Sequence, residues 1–454
     1  MITLFKYTKL FSWLCIYYFY KDDIIEDVII KNINDCGCVI IKFTQWIIPL
    51  LENNNEIRIN KQFLNKLDTV YEGCHSHSLD YTKQVYENEF LETFDSKYEI
   101  DTLIASASMG QVYKVKDKKT NEYLAMKVLH PHLSFHIKFF KKIIQCLYFI
   151  PWIANWIHYY IPIHLDIFIR NFEQQISLVN EANNCLKFSN HYGENPFIII
   201  PDVKKISQNI LFLSYEEGTS FDKLKESEYF RSKCITLLHL FIKNNELYFN
   251  FMHGDIHKGN WKIRAKDHQP CLIIYDFGFC WNIPELIVEN IHSLEKTFLE
   301  IKDKSLCQET KLQNTVDAYY LLLLKRCSKD KIYRVIQDVE LSDDVTVLLS
   351  QLLSLSRKTG ILMDSFLLQC LIVASQVQKY FNKYHYISGD SLVSDYYSKI
   401  LPDIYSFCKC HHIFTEYSEL LKEEYNMYHS KENTELTYRD FKIDVNKLKS
   451  LAID

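Results

Sequence analysis

The chain has 454 residues, a formal net charge of -5 and no strongly basic block, which argues against a generic nucleic-acid-binding surface. At 48% hydrophobic residues it can bury a large core, and its 15% aromatic content with few Gly and Pro reads as an AT-rich coding bias rather than adaptation to a ligand. Its 14 scattered cysteines show neither a secreted disulfide framework nor paired zinc spacing, which points to a reduced intracellular compartment.

Residues 1–97 are expected to be mainly helical, with a polar break at Glu52-Asn-Asn-Asn-Glu56. The apolar run Leu10–Tyr20 is shorter than the ~20 residues needed to cross hydrocarbon. Lys6 and Lys9 precede it and no acid occurs before Asp22, a faint likeness to a targeting segment without arginine or a small-residue cleavage site. Three strands follow at 98–104, 111–116 and 122–129, joined by the small-residue loop Ala105-Ser106-Ala107-Ser108-Met109-Gly110 and a polar turn at 117–121. Lys127 lies on the third strand. Residues 143–164 carry no Asp, Glu, Lys or Arg, and hydropathy alone would allow a span, but Pro151 and Pro162 interrupt it. From Phe172 to Phe188, apolar residues recur at Phe172, Ile176, Val179, Ala182 and Leu186 with a helical period, and Glu181 lies beside that stripe. Leu211–Gly218 has the form of a strand and hinge. Residues after Trp281 show repeated helical patterns such as 366–374, and the segment from about Lys431 is charged and peripheral.

The densest chemistry lies in His253-Gly-Asp255-Ile-His257-Lys-Gly259-Asn260 and Asp276-Phe-Gly278. Two short strands, 261–264 and 271–275, joined by a Pro-containing turn would form a hairpin that returns Asp276 to the end of the sheet where Asn260 left it. Asn260 and Asp276 supply oxygen ligands of the kind Mg²⁺ accepts, and Asp255 is placed to orient or deprotonate an attacking hydroxyl. Such a phosphoryl-transfer site demands an upstream phosphate-covering loop, a strand lysine and a helical acid. Ala105, Ser106, Ala107 and Ser108 let backbone amides approach a nucleotide, although their Cβ atoms make the geometry unlike that of a glycine-rich loop. Lys127 can reach the α- and β-phosphates, and either Glu181 or Glu173 could pair with it. A membrane crossing at 143–164 would separate Lys127 from Glu181, so that segment reads better as a buried or interfacial insert, with Trp152, Trp156, Tyr159 and Tyr160 suited to a lipid headgroup layer. His253 and His257 lack zinc-type partners and read as structural hydrogen-bonding groups. Cys74-His75-Ser76-His77 and Cys408-Lys-Cys410-His411-His412 could bind metal, but each is isolated and local, and buried or surface thiols are the better reading.

These motifs together resemble the UbiB-type atypical kinase-like family, the aarF-domain-containing kinases. The likeness is carried by the Ala-rich loop with Gln111-Val112-Tyr113, by Ala125-Met-Lys127-Val-Leu-His-Pro131, by Asn180-Glu181-Ala182-Asn183-Asn184, and by HGDIHKGN with Asp276-Phe-Gly278. Lys42-Phe-Thr44-Gln45 is similar to the family's Lys-x-Gly-Gln signature, with Thr44 in place of glycine. That segment separates the family from choline-kinase-like and aminoglycoside-kinase-like enzymes.

The resemblance implies an α+β, two-lobed protein-kinase-like fold with a small antiparallel-sheet N-lobe, a helical C-lobe and family-specific helical extensions. The corresponding division is an extension at 1–97, an N-lobe with a helical insert at 98–218, and a C-lobe with its extension at 219–454. It also implies Mg²⁺ and adenine nucleotide, as ATP or ADP, with the hinge near Glu216 receiving adenine. A lipid or quinone-pathway small molecule is the expected acceptor or regulator, with peripheral membrane contact, a mitochondrial or membrane-peripheral location and no nucleic-acid partner. Lys42 and Gln45 would form a lid that obstructs protein substrates; Thr44 is expected to alter its turn, and Gln175 and Ser177 stand where the family has acids. Two function classes remain: an active atypical kinase or ATPase, and a catalytically weak nucleotide-binding scaffold.

Overall fold

The computed structural model describes residues 2–52, 60–67, 76–193, 195, 197–266, 269–288, 290, 297, 301, 305–337 and 344–384. The helices are, in chain order, α1 (Ile2–Phe19), α2 (Asp23–Cys36), α3 (Cys38–Glu52), α4 (Lys61–Leu67), α5 (Leu79–Phe90), α6 (Phe94–Lys97), α7 (Leu133–Tyr148), α8 (Pro151–Tyr160), α9 (Leu165–Gln175), α10 (Leu178–Tyr192), α11 (Glu228–Asn244), α12 (Gln308–Leu322), α13 (Lys329–Ile336), α14 (Val345–Thr359) and α15 (Ser365–Tyr384). The strands are β1 (Tyr98–Ser106), β2 (Gly110–Asp117), β3 (Tyr123–Leu129), β4 (Ile198–Ile199), β5 (Val203–Ile206), β6 (Ile210–Ser214), β7 (Phe251–His253), β8 (Trp261–Lys266), β9 (Gln269–Ile274) and β10 (Cys280–Asn282). The chain divides into two compact units, one of residues 1–156, 165–186 and 201–216, the other of 157–164, 187–200 and 217–454.

The first unit is built on a five-stranded antiparallel sheet in the order β1-β2-β3-β6-β5. Side chains alternate across a sheet, so the apolar residues at every second position form one face. Tyr113 and Val115, then Leu124, Met126 and Val128, then Ile210 and Phe212 are buried together with Tyr86 of α5, Phe94 of α6 and Tyr98 of β1. Tyr98 stacks on Phe212 with ring centroids 4.8 Å apart. The same alternation puts Lys127 on the opposite face of the sheet, away from this core. Helices α1 to α4 and α7 pack within the same unit, where Tyr7 of α1 meets Phe139 of α7 and Phe43 of α3 meets Phe140.

Two expectations for this unit change. The stretch 172–188 is two helices, because the chain breaks at Ile176-Ser177 and Ser177 caps α10 through Oγ accepting from the Asn180 N–H at 3.2 Å. With the new phase, Leu178, Glu181, Ala182, Cys185 and Phe188 face inward, whereas Val179 and Leu186 are exposed. Thr44 lies inside α3, where no turn exists for it to alter. The 143–164 segment is broken at Pro151, the first residue of α8, and none of the described helices is long and apolar enough to cross a membrane.

The second unit holds a β4-β9-β8 sheet, with β4 parallel to β9, and a separate β7-β10 pair, together with α11 to α15. Strands β8 and β9 form the expected hairpin in the register Trp261↔Ile274 to Lys266↔Gln269, longer than the sequence suggested. An aromatic cluster of Phe188, Phe241, Phe249, Phe251 and Phe277 packs beside it. The break at 53–56, the Cys74-His75 pair, the Cys408–His412 cluster and the charged tail lie outside the described residues. None of the described cysteines is in a disulfide.

Candidate active site

In the first unit, Lys127 and Glu181 meet. The Lys127 Nζ donates to both carboxylate oxygens of Glu181 at 2.8 Å, and the side chains are 10% and 1% exposed. The strand register aims Lys127 and the α10 cap places Glu181 in the first helical turn, where its charge also suits the helix dipole. Burial makes the pair interdependent, since removing either charge takes from the other a compensating partner in a site with little access to water. Glu173, the competing acid, sits on α9 and binds Lys141 at 3.2 Å.

The small-residue loop is tighter than a run of four open residues. Ala105 and Ser106 complete β1 opposite Val112 and Gln111, and the Ala107 N–H donates to the Gly110 carbonyl at 2.9 Å. Ser108 and Met109 are buried. Gly110 has to lack a side chain, since a Cβ there would stand 2.3 Å from the Val128 carbonyl oxygen. The Ser106 Oγ is buried with no hydrogen-bond partner among the described residues, a donor that suits a phosphate or ribose oxygen. At the other end of the sheet, Ser214 donates to the Glu216 carboxylate at 3.0 Å, and the Tyr215 N–H donates to the Tyr123 carbonyl at 3.3 Å. Gln45 is buried and Lys42 half-buried on α3.

In the second unit, the 253–278 segment is fixed by its own backbone. The Tyr275 N–H donates to the Asn260 carbonyl at 2.9 Å at the mouth of the β8-β9 hairpin, so Asn260 and Asp276 emerge at one end of it. The Asn260 Nδ2 donates to the Asp255 carbonyl at 2.8 Å, which fixes the amide and leaves Oδ1 as the atom that could ligate a metal. Asp276 has φ +55°, a left-handed conformation costly for a residue with a Cβ, and its Oδ1 accepts from the Gly278 N–H at 3.3 Å. Asn260 and Asp276 form an oxygen donor set of the kind Mg²⁺ prefers.

His253 is fully buried and bridges the two halves of the segment. Its Nε2 donates to the Tyr275 carbonyl at 3.1 Å and its Nδ1 accepts from the Asp255 N–H at 3.3 Å, which defines a neutral tautomer. Burial pushes its pKa down, consistent with that state. His257 accepts from the Gly259 N–H at 3.0 Å through Nδ1, and its Nε2 lies 3.9 Å from Asp255 Oδ2. Among the described residues no cluster of His, Cys, Asp and Glu could hold a metal by itself.

Phe277 is buried against Phe188 and His253, with ring centroids at 5.2 and 5.4 Å. Gly254 lies so close to Trp281 that a Cβ would meet its ring at 1.9 Å. Sequence reasoning missed Gln369 on α15, whose Nε2 donates to the Gly254 carbonyl at 2.7 Å. The available signal was a single buried polar residue within the apolar run 366–374.

A strand lysine closed on a helical glutamate, and an Asp-x4-Asn loop tied by a hairpin to Asp-Phe-Gly, define a kinase-like protein. The ABC1 atypical kinase-like domain matches residues 69–310, and the chain belongs to that family. It is 26% identical over 53% of its length to the probable serine/threonine-protein kinase abkC of Dictyostelium discoideum, covering 35% of that protein. It is 25% identical over 55% of its length to the ABC1 family protein MCP2 homolog of Schizosaccharomyces pombe, covering 47%. With the probable protein kinase UbiB of an Enterobacter strain the identity is 22% over 53%, covering 45%. The chain therefore spans less than half the length of each of these relatives.

Proposed function

We propose that this chain is an atypical kinase or ATPase that binds Mg²⁺ with ATP or ADP. Lys127 engages the nucleotide phosphates, Glu181 positions Lys127, and Asp255 orients or deprotonates the acceptor. Asn260 and Asp276 hold Mg²⁺, which neutralises charge on the phosphate oxygens during transfer. Ala105 to Ser108 cover the nucleotide and the hinge at Glu216 receives adenine. The observation that carries this reading is the bidentate 2.8 Å contact between Lys127 and Glu181, the pair a kinase needs in place before it can act.

The acceptor or regulator in this reading is a lipid or quinone-pathway small molecule rather than a protein, with Lys42 and Gln45 as lid residues. Peripheral contact with a membrane is supported by α8, where Trp152 is 72% and Trp156 54% exposed and no acidic residue occurs. The test is thermal stabilisation and hydrolysis by purified protein with Mg²⁺ and ATP, with and without lipid vesicles or phenolic ligands. Wild type should be stabilised and turn over, and Asp255→Asn should bind without turnover. Binding with no turnover in either protein would favour the nucleotide-binding scaffold, and no binding would end both readings.

A further inference from the structure

Behind the small-residue loop lies a pair of histidines on which the site assignments do not draw. His130 directly follows β3 and His77 precedes α5. Their Nδ1 atoms are 2.9 Å apart, and the His130 Nε2 lies 2.9 Å from the carbonyl oxygen of Ala107. The His77 Nε2 lies 2.9 Å from the Thr82 hydroxyl, which is 3.1 Å from the Tyr113 hydroxyl. Gln111 closes the circuit, its Nε2 donating to the Tyr113 hydroxyl at 2.6 Å and its Oε1 accepting from the His77 backbone N–H.

The protons in this circuit can be placed from either end. Carbonyl oxygens only accept, so His130 carries a proton on Nε2, and in the neutral ring its Nδ1 is bare. The His77 Nδ1 must then donate, which leaves His77 Nε2 to accept from Thr82. From the other end, the Gln111 oxygen is committed to a backbone N–H, so its amide nitrogen donates to Tyr113, Tyr113 to Thr82 and Thr82 to His77. Both ends give the same direction, and the Gln111 end gives two neutral rings.

We propose that His77 and His130 are positioning residues, a neutral relay that holds the Ala107 carbonyl and so sets the shape of the loop for nucleotide. The nucleotide half of this inference rests on the function proposed above. The groups facing the pair are the Tyr81 ring of α5, the Thr82 hydroxyl, the Gln111 amide and Tyr113 hydroxyl of β2, and the Ala107 and Met109 carbonyls of the loop, none of which is charged at neutral pH. A proton added to His130 would meet the His77 Nδ1–H. One added to His77 would meet the Thr82 hydroxyl proton, and the reversal needed to accommodate it ends at Gln111, whose oxygen is already engaged. Burial, with a smaller contribution from His130, pushes the His77 pKa down to about 4, and burial lowers that of His130.

The test compares two variants in the full chain, by hydrogen exchange of the amides of residues 105–111 and by affinity for Mg·ATP. His77→Phe keeps ring volume and leaves the loop untouched but removes the donor to His130; His77→Asn is smaller but offers Nδ2 in place of Nδ1. The relay predicts that His77→Phe speeds loop exchange and weakens Mg·ATP by about tenfold, the loss of roughly one buried hydrogen bond, and that His77→Asn restores most of both. A packing role predicts the reverse order, so loop exchange in His77→Phe equal to wild type, or in His77→Asn no slower than in His77→Phe, would overturn the proposal. Failure of wild type to bind Mg·ATP would overturn the nucleotide reading, and the exchange comparison would still decide the relay.

Discussion

The two regions that carry the site residues are held in opposite ways. Lys127 and Glu181 are closed on each other, side chain to side chain, in a dry environment. In the 253–278 segment three polar side chains are turned on the backbone: Asn260 on the Asp255 carbonyl, Asp276 on the Gly278 N–H, and His253 on both Tyr275 and Asp255. The first arrangement makes an ion pair whose members cannot be removed singly without a stability penalty. The second makes a rigid frame from which oxygen atoms project, so exchanging one ligand there should change chemistry more than folding.

The sharpest way to break this contrast is Asp276→Asn, which removes the charge proposed to bind metal while keeping shape. Turnover with Mg·ATP should fall by about 100-fold or more, with the melting temperature of the unliganded protein nearly unchanged. Glu181→Ala should do the opposite in kind, costing about 3–5 kcal/mol in urea unfolding because the buried Lys127 ammonium loses the carboxylate that compensates it. Replacing both partners, Lys127→Met with Glu181→Leu, should recover most of that stability without restoring activity. A smaller effect is expected from Gln369→Leu, which leaves the buried Gly254 carbonyl without its donor, at about 1–3 kcal/mol by denaturant unfolding.

A further effect is a pH dependence. His77, His130 and His253 all have pKa values below the ordinary 6.5 in the folded chain, so the unfolded chain binds protons more readily than the native one as pH falls. Their contribution to stability is therefore complete above pH 6.5 and is lost as acid approaches the His77 value of about 4. Urea titrations at pH 7.5, 6.5 and 5 should show this decline, and His77→Phe should flatten it.

Much of the architecture could be read from local patterns. Alternation within 111–116 and 122–129 gives the strands, and the same alternation puts Lys127 on the face away from the aromatic core. The turn between 261 and 274 gives the hairpin that returns Asp276 beside Asn260. What local patterns did not reveal depends on distant partners. The stripe from Phe172 to Leu186 kept a helical period across a break, because a capping serine at Ser177 reset the helix phase while leaving apolar residues at similar intervals. His77 pairs with a residue 53 positions away, and Gln369 reaches one 115 positions away. Gln369 carries no signal in its own neighbourhood beyond being a polar residue among apolar ones, and His77 lies in a polar stretch, Cys74-His75-Ser76-His77-Ser78, that does not point to His130.

Thermal unfolding of wild type and Asp276→Asn, each with ATP and with or without Mg²⁺, tests the central claim most directly. The account predicts that Mg·ATP raises the melting temperature of wild type and that the Mg²⁺-dependent part of the rise disappears in Asp276→Asn. Equal shifts in the two proteins, or no shift in wild type, would contradict it.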